Sequence, residues 1–253
     1  MTVSSVVGHW LAGSGSGRSA RSRLPVFALV AAVLAVLALA AAGRASAAPR
    51  AAVSHFAFVE RPVGARTTPN LDAAQVGRLR TTTEDGTDEV VQVLSTVRRG
   101  GRVWHRVRLP ILPNNSTGWV PATALSSLRS AHTLLYVSRS RQLLVLYRDG
   151  ASVFRARIGV GRPETPTPAG HFYIRDKLTG FPPGTIYGPL AFGTSAKSAV
   201  LTDWPRGGVI GIHGTNQPDL LPGRVSHGCI RMRNADIRRL AKLLPVGTPL
   251  QIV

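Results

Sequence analysis

Beyond about residue 50 the apolar side chains come in short runs of strand length, separated by glycine and proline. Residues 89–94, 103–109 and 118–120 read as strands. Arg99-Gly100-Gly101 and Pro113-Asn114-Asn115 mark turns between them. After a short polar joint at 126–131, residues 134–137 and 142–147 form a second set of strands. Asp149-Gly150 then makes a hairpin turn into 151–158. Gly159-Val160-Gly161 and the proline-rich stretch 165–170 read as a rigid loop before a strand at 171–175. A Gly/Pro-rich stretch follows at 180–193. Residues 209–212 form an apolar buried strand that ends at His213, with a loop over 214–225 behind it. A 3.6-residue period appears once, at 234–244, where Ile237, Leu240, Ala241 and Leu244 share a face and Asn234 stands as the N-cap. A final strand spans 246–253. The pattern predicts a mainly β protein with one short C-terminal helix and no internal repeat.

The first residues follow a different rule. Arg18, Arg21 and Arg23 precede an apolar run over 24–42, followed by Ala45-Ser46-Ala47. A basic start, an apolar stretch and a small-x-small site are the parts of an export signal. The run is also long enough to span a bilayer. Residues 1–47 are therefore expected to be a signal peptide or an N-terminal membrane anchor. Both place the remainder on the extracytoplasmic face, at the cell wall. The rest divides into a small β unit at 55–128 and a larger β domain at 132–253.

Charge narrows the partners. The formal net charge is +19. Residues 1–50, 51–130 and 131–253 carry +5, +4 and +10 of it, so the C-terminal domain holds most of the excess. An exported protein of this sign is expected to associate with an anionic cell-envelope surface. No nucleic-acid-binding motif is visible, and export argues against nucleic acid as a partner.

The chain has a single cysteine, Cys229, in Ser226-His227-Gly228-Cys229-Ile230-Arg231, with His213-Gly214 upstream. An unpaired thiol in an exported protein stands out as reactive. Nucleophilic use of a thiol requires a base and N–H groups aimed at a developing oxyanion. His227 sits two residues from the thiol, where strand geometry makes an in-line hydrogen bond awkward. His213 ends a separate strand and can approach from outside, which favours it as the base. Glycine at 214 allows a sharp turn whose carbonyl can hold the imidazole tautomer. The N–H groups around His227, Gly228 and Cys229 are candidates for the oxyanion hole. Two other readings stay open: a His213, His227, Cys229 zinc set, which lacks an evident fourth ligand, and an inert buried turn.

The segments Ile212-His213-Gly214-Thr215-Asn216 and Ser226-His227-Gly228-Cys229-Ile230-Arg231-Met232 resemble the signature of L,D-transpeptidases with a YkuD-type catalytic domain. The resemblance covers about 132–253. It extends to the Gln142-Leu143-Leu144-Val145-Leu146-Tyr147 strand, the Thr167-Pro168-Ala169-Gly170 turn and the Tyr187-Gly188-Pro189 loop. It implies a β-sandwich-like catalytic domain and a cysteine acyltransferase without cofactor or metal. The substrates would be peptidoglycan stem peptides, a tetrapeptide donor and an acceptor amine, joined in 3→3 cross-links through a thioester. L,D-carboxypeptidase or D-residue exchange are alternatives on the same scaffold, and a non-enzymatic wall-binding protein is an alternative of another class. Carried over, Cys229 is the nucleophile, His213 the base and Gly214 its orienter. Ser226, His227 and Gly228 shape the oxyanion hole and cleft, and Arg231 and Tyr187 contact substrate. Arg231 has a second reading, an ion pair with Asp236. Separately, Ala65–Pro69, Val103–Leu109 and Thr117-Gly118-Trp119-Val120 resemble bacterial SH3-like domains. Trp104 and Trp119 would then be either groove aromatics or packing residues.

Overall fold

The computed structural model describes residues 53–203 and 208–253. The apolar run at 24–42 and the cleavage site lie outside them. Among the described residues no helix is long and apolar enough to cross a membrane. The described residues belong to one compact unit.

The first strands are β1 (Ser54–Phe58), β2 (Val63–Arg66), β3 (Gln75–Leu79), β4 (Val90–Arg99), β5 (Arg102–Arg108), β6 (Thr117–Pro121) and β7 (Arg129–Ala131). They pair as one antiparallel sheet in the order β3-β2-β6-β5-β4-β1-β7. Its own core contains Ala57, Val91, Val107, Leu109 and Val120. Trp104 is 2% exposed and packs inside, whereas Trp119 is half-buried opposite Arg66 and Arg106. The stretch 126–131, expected as a plain joint, carries β7, which extends the sheet beyond β1.

The second sheet is built from β8 (Thr133–Ser138), β9 (Leu143–Arg148), β10 (Ala151–Arg157), β11 (Gly159–Gly161), β12 (Gly170–Thr179), β13 (Leu190–Lys197), β14 (Val209–His213), β15 (Gly223–Ser226), β16 (Ile230–Arg231) and β17 (Pro249–Ile252), with helix α1 (Asn234–Leu240) before the last strand. The order is β10-β9-β8-β17-β12-β13-β14-β16-β11-β15. β12 joins two halves. Its first residues pair with β17 and its later ones with β13, with a bulge between Ile174 and Asp176. Bulges bend a strand and re-aim its side chains. Leu135 and Leu144 of one half therefore share a core with Phe192, Ile210, Ile212 and Ile230 of the other, and Ile237, Leu240 and Leu244 close it.

Three sequence expectations change here. β13 begins at Leu190, inside the stretch read as Gly/Pro loop. Every residue from Leu190 to Ala196 is buried, so the strand has no alternation to betray it. β11 and β15, expected as loop, pair in parallel at the far edge. The helix starts at Asn234 itself, with Arg233 in the N-cap position and no side-chain cap.

The two sheets meet through buried polar contacts. Arg175 of β12 donates to both carboxylate oxygens of Glu89, 2.9 Å from Nε to Oε1, and its Nη1 lies 2.9 Å from Glu84 Oε2. Lys197 pairs with the other Glu84 oxygen. Asn114 donates to the Lys197 carbonyl and accepts from its N–H, copying a strand's hydrogen bonds with a side chain. Asn115 accepts from the His171 N–H at 2.7 Å.

Candidate active site

His213 is the last residue of β14 and pairs in register with Arg231 of β16, while Ile212 pairs with Ile230. This parallel pairing puts the end of β14 beside the start of β16, and Cys229 immediately precedes β16. Sequence-distant His213 and Cys229 thereby reach one cleft of about 490 Å³, open to solvent. Tyr187, Ser226, His227 and Arg231 also line it. The Gly211 N–H points at the Cys229 sulfur, 3.4 Å from N to Sγ. A side-chain carbon added to Gly211 would lie 3.9 Å from both that sulfur and the His213 ring, so thiol and imidazole share one corner of the cleft.

The turn carrying the thiol is held from three sides. Gly228 adopts φ +115°, a region glycine reaches without strain. Its N–H donates to Ser226 Oγ at 3.1 Å, and that hydroxyl donates onward to the Cys229 carbonyl. Thr167, fully buried, donates to the Gly228 carbonyl at 2.7 Å and accepts from the Gly161 N–H at 2.9 Å. The Ser226 carbonyl accepts from the Arg162 N–H and the Thr165 hydroxyl. This corrects one expectation. The Gly228 N–H is already spent on Ser226 and is not presented to a substrate. Gly228 and Ser226 shape the turn. Thr165 was not singled out from the sequence, and Thr167 entered it only as part of the Thr167-Pro168-Ala169-Gly170 turn of the resemblance.

His213 is 3% exposed. Its Nδ1 lies 2.7 Å from the Gly214 carbonyl, and a second backbone contact comes from Ile186. Burial pulls its pKa down to about 4. The Gly214 and Ile186 backbone groups oppose that shift, and the Arg231 charge reinforces it. Burial pushes the Cys229 thiol up, against the pull of the Gly211 N–H and Arg231. The two shifts point the same way. Both favour the uncharged forms, a thiol beside a neutral imidazole at neutral pH.

Tyr187 packs edge-on against the His213 ring at 5.1 Å and stacks on Phe181 at 5.5 Å. It forms a wall of the cleft and touches the imidazole. Arg231 lines the cleft and donates to Gln217 Oε1 at 3.2 Å, while its buried Nε has no partner. Asp236 lies instead 3.9 Å from Arg239, so Arg231's placement favours the cleft. His227 is exposed. Among the described residues no group of three or more His, Cys, Asp and Glu side chains could hold a metal ion.

Comparison with known proteins follows the same residues. The family profile of the YkuD L,D-transpeptidase catalytic domain matches 132–252. The YkuD protein of Bacillus licheniformis, named as an L,D-transpeptidase, is 30% identical over 167 residues, covering 64% of this chain and 93% of that one. Its Bacillus subtilis counterpart is 38% identical over 131 residues, covering 51% and 72%. Among solved structures, the catalytic domain of the Enterococcus faecium L,D-transpeptidase is 28% identical with a TM-score of 0.36, covering 48% of this chain and 96% of that one. The chain spans about half of the longer avibactam carbamoyl-enzyme structure that it also matches, at 31% identity and a TM-score of 0.36. This chain belongs to the YkuD family of L,D-transpeptidases.

Proposed function

We propose that this protein is an exported cysteine acyltransferase that joins peptidoglycan stem peptides in 3→3 cross-links. The observation that carries the reading is the meeting of Cys229 and the backbone-held, neutral His213 in one cleft. The Cys229 sulfur attacks the donor carbonyl next to the terminal D-residue while His213 takes the thiol proton. The imidazolium that forms is held by the Gly214 carbonyl. Collapse of the tetrahedral intermediate breaks the peptide bond, His213 returns the proton to the leaving amine, and a thioester remains. An acceptor amine then attacks the thioester and gives up its proton to His213, and the departing thiolate is reprotonated. The cleaved amide supplies the energy, so the reaction needs no nucleotide outside the cytoplasm.

Arg231 lines the cleft, and its guanidinium suits a substrate carboxylate. Tyr187 offers a flat apolar face beside it. The segment 1–47 supports export, with cleavage or anchoring. The net charge of +19 supports residence at an anionic envelope surface. The seven-stranded unit at 54–131 is read as an SH3-like module; its antiparallel order and its buried Trp104 support that reading.

Incubation of the full chain with tetrapeptide-bearing muropeptides, followed by mass spectrometry, tests the reaction. Dimers with loss of the terminal D-residue are expected. Tripeptides alone would make the protein a carboxypeptidase, and unchanged muropeptides would overturn both readings.

A further inference from the structure

Asn234 has no role in the mechanism above, and the sequence casts it as a helix cap, yet its side chain does something else. It stands at the first turn of α1 but makes no cap; Arg233 occupies that position. The Asn234 Oδ1 atom accepts from the Thr215 N–H at 2.9 Å. That N–H and the Gly214 carbonyl belong to the same planar peptide unit and point in opposite directions. The carbonyl end of the unit lies 2.7 Å from His213 Nδ1. Asn234 thus grips one end of the plane whose other end sets the imidazole.

The surrounding backbone is shaped to admit that oxygen. A Cβ on Gly214 would stand 2.4 Å from Asn234 Oδ1, and one on Gly188, at φ +63°, would stand 2.3 Å from it. The absence of a side chain at both glycines leaves room for the amide oxygen. Nearby, the His213 carbonyl accepts from the Met232 N–H and the Gly214 N–H donates to the Leu190 carbonyl. Those two bonds fix the peptide before Gly214. The Asn234 bond fixes the one after it, which no strand ladder holds.

We propose that Asn234 is a positioning residue for the base, acting through the Gly214–Thr215 peptide to hold His213 with its proton on Nδ1. Its importance for turnover rests on His213 being the base, while its effect on the imidazole does not. Loss of this bond lets the peptide plane rotate and the carbonyl leave Nδ1. Misplacement of a reacting group by about 1 Å costs on the order of 100-fold in rate.

The test compares the full-length wild type, Asn234→Ala and Asn234→Asp by ¹⁵N NMR of the His213 ring nitrogens and by the rate of Cys229 alkylation with iodoacetamide at pH 7. Alanine removes the acceptor. Aspartate keeps it at nearly the same place. Alanine is expected to mix the two imidazole tautomers and to slow alkylation at least tenfold, and aspartate is expected to keep the Nδ1–H form and most of the rate. An unchanged tautomer in a folded Asn234→Ala protein overturns the proposal, as does loss of the Nδ1–H form in Asn234→Asp. A merely structural role would lower the melting temperature without moving the ring signals, and that too would overturn it. Parallel alkylation of His213→Ala separates the two readings. Slow alkylation there with a normal rate in Asn234→Ala sinks this inference alone. Unchanged alkylation in His213→Ala sinks the assignment of the base, and the ring signals still decide the positioning claim.

Discussion

Among the described residues, two of the places that bury ionisable groups treat them in opposite ways. Between the sheets, Arg175 is matched by Glu89 and Glu84, and Lys197 completes the set. Burial alone would pull the Arg175 pKa down, yet the hydrogen bonds and charge of Glu89 carry it up, so the guanidinium stays charged. In the cleft, His213 and Cys229 have no carboxylate partner among the described residues. Backbone groups hold them in place and burial keeps both neutral. The first arrangement pairs opposite charges across the two sheets and locks them together. The second leaves a proton to move. A buried group whose charge is already answered serves the fold, whereas one held by position alone is available for chemistry.

That contrast is open to breakage from either side. The largest effect is expected from His213→Ala, which should lower the rate of Cys229 acylation by about 10²- to 10⁴-fold in protein that urea denaturation shows to remain folded. Arg175→Met should do the reverse. It strands Glu89 beside Asp176 in a buried site and should cost about 3–5 kcal/mol in urea unfolding, with acylation per folded molecule unchanged. Pairing it with Glu89→Leu should restore most of that loss, because the stranded charge is gone. A large activity loss from Arg175→Met in folded protein would erase the distinction between the two sites.

The pH dependence of stability gives a smaller, signed effect. With its folded pKa near 4 against an ordinary value near 6.5, His213 takes up a proton between those pH values only on unfolding. Its contribution is complete above about pH 6.5 and is lost as pH falls toward 4, by up to about 3 kcal/mol. His213→Gln should flatten that part of the stability profile in urea titrations at pH 7, 6 and 5. A wild-type slope retained in the variant would contradict the buried, neutral imidazole. The smallest effect is expected from Thr167→Val, which leaves the Gly228 carbonyl and Gly161 N–H without their partner and should cost about 1–3 kcal/mol. Since Thr167 braces the thiol's turn, this variant should also slow acylation, which thermal denaturation and intact-mass kinetics together would show.

Some of this was legible in the sequence and some was not, for physical reasons. The single cysteine, the strand running into His213 and the glycine after it are local signals, and they pointed to the cleft that the structure displays. β13 escaped because a strand buried on both faces has no period to read, and it begins inside a Gly/Pro-rich stretch. Asn234 was misjudged because a capping residue type at a helix start is a strong local pattern, while its partner, Thr215, lies 19 residues away. The Gly228 N–H looked available because nothing local says that Ser226 turns its hydroxyl back onto it. The clasp between Arg175 and Glu89 spans 86 residues and leaves no trace in periodicity or composition.

Cys229 as a nucleophile activated by His213 is the central proposal. Intact-mass spectrometry of the full chain after incubation with a tetrapeptide stem donor tests it most directly. The predicted result is a covalent acyl adduct, lighter than the donor by its released terminal residue, that maps to Cys229 and is absent from Cys229→Ala. An adduct that persists in Cys229→Ala would contradict it.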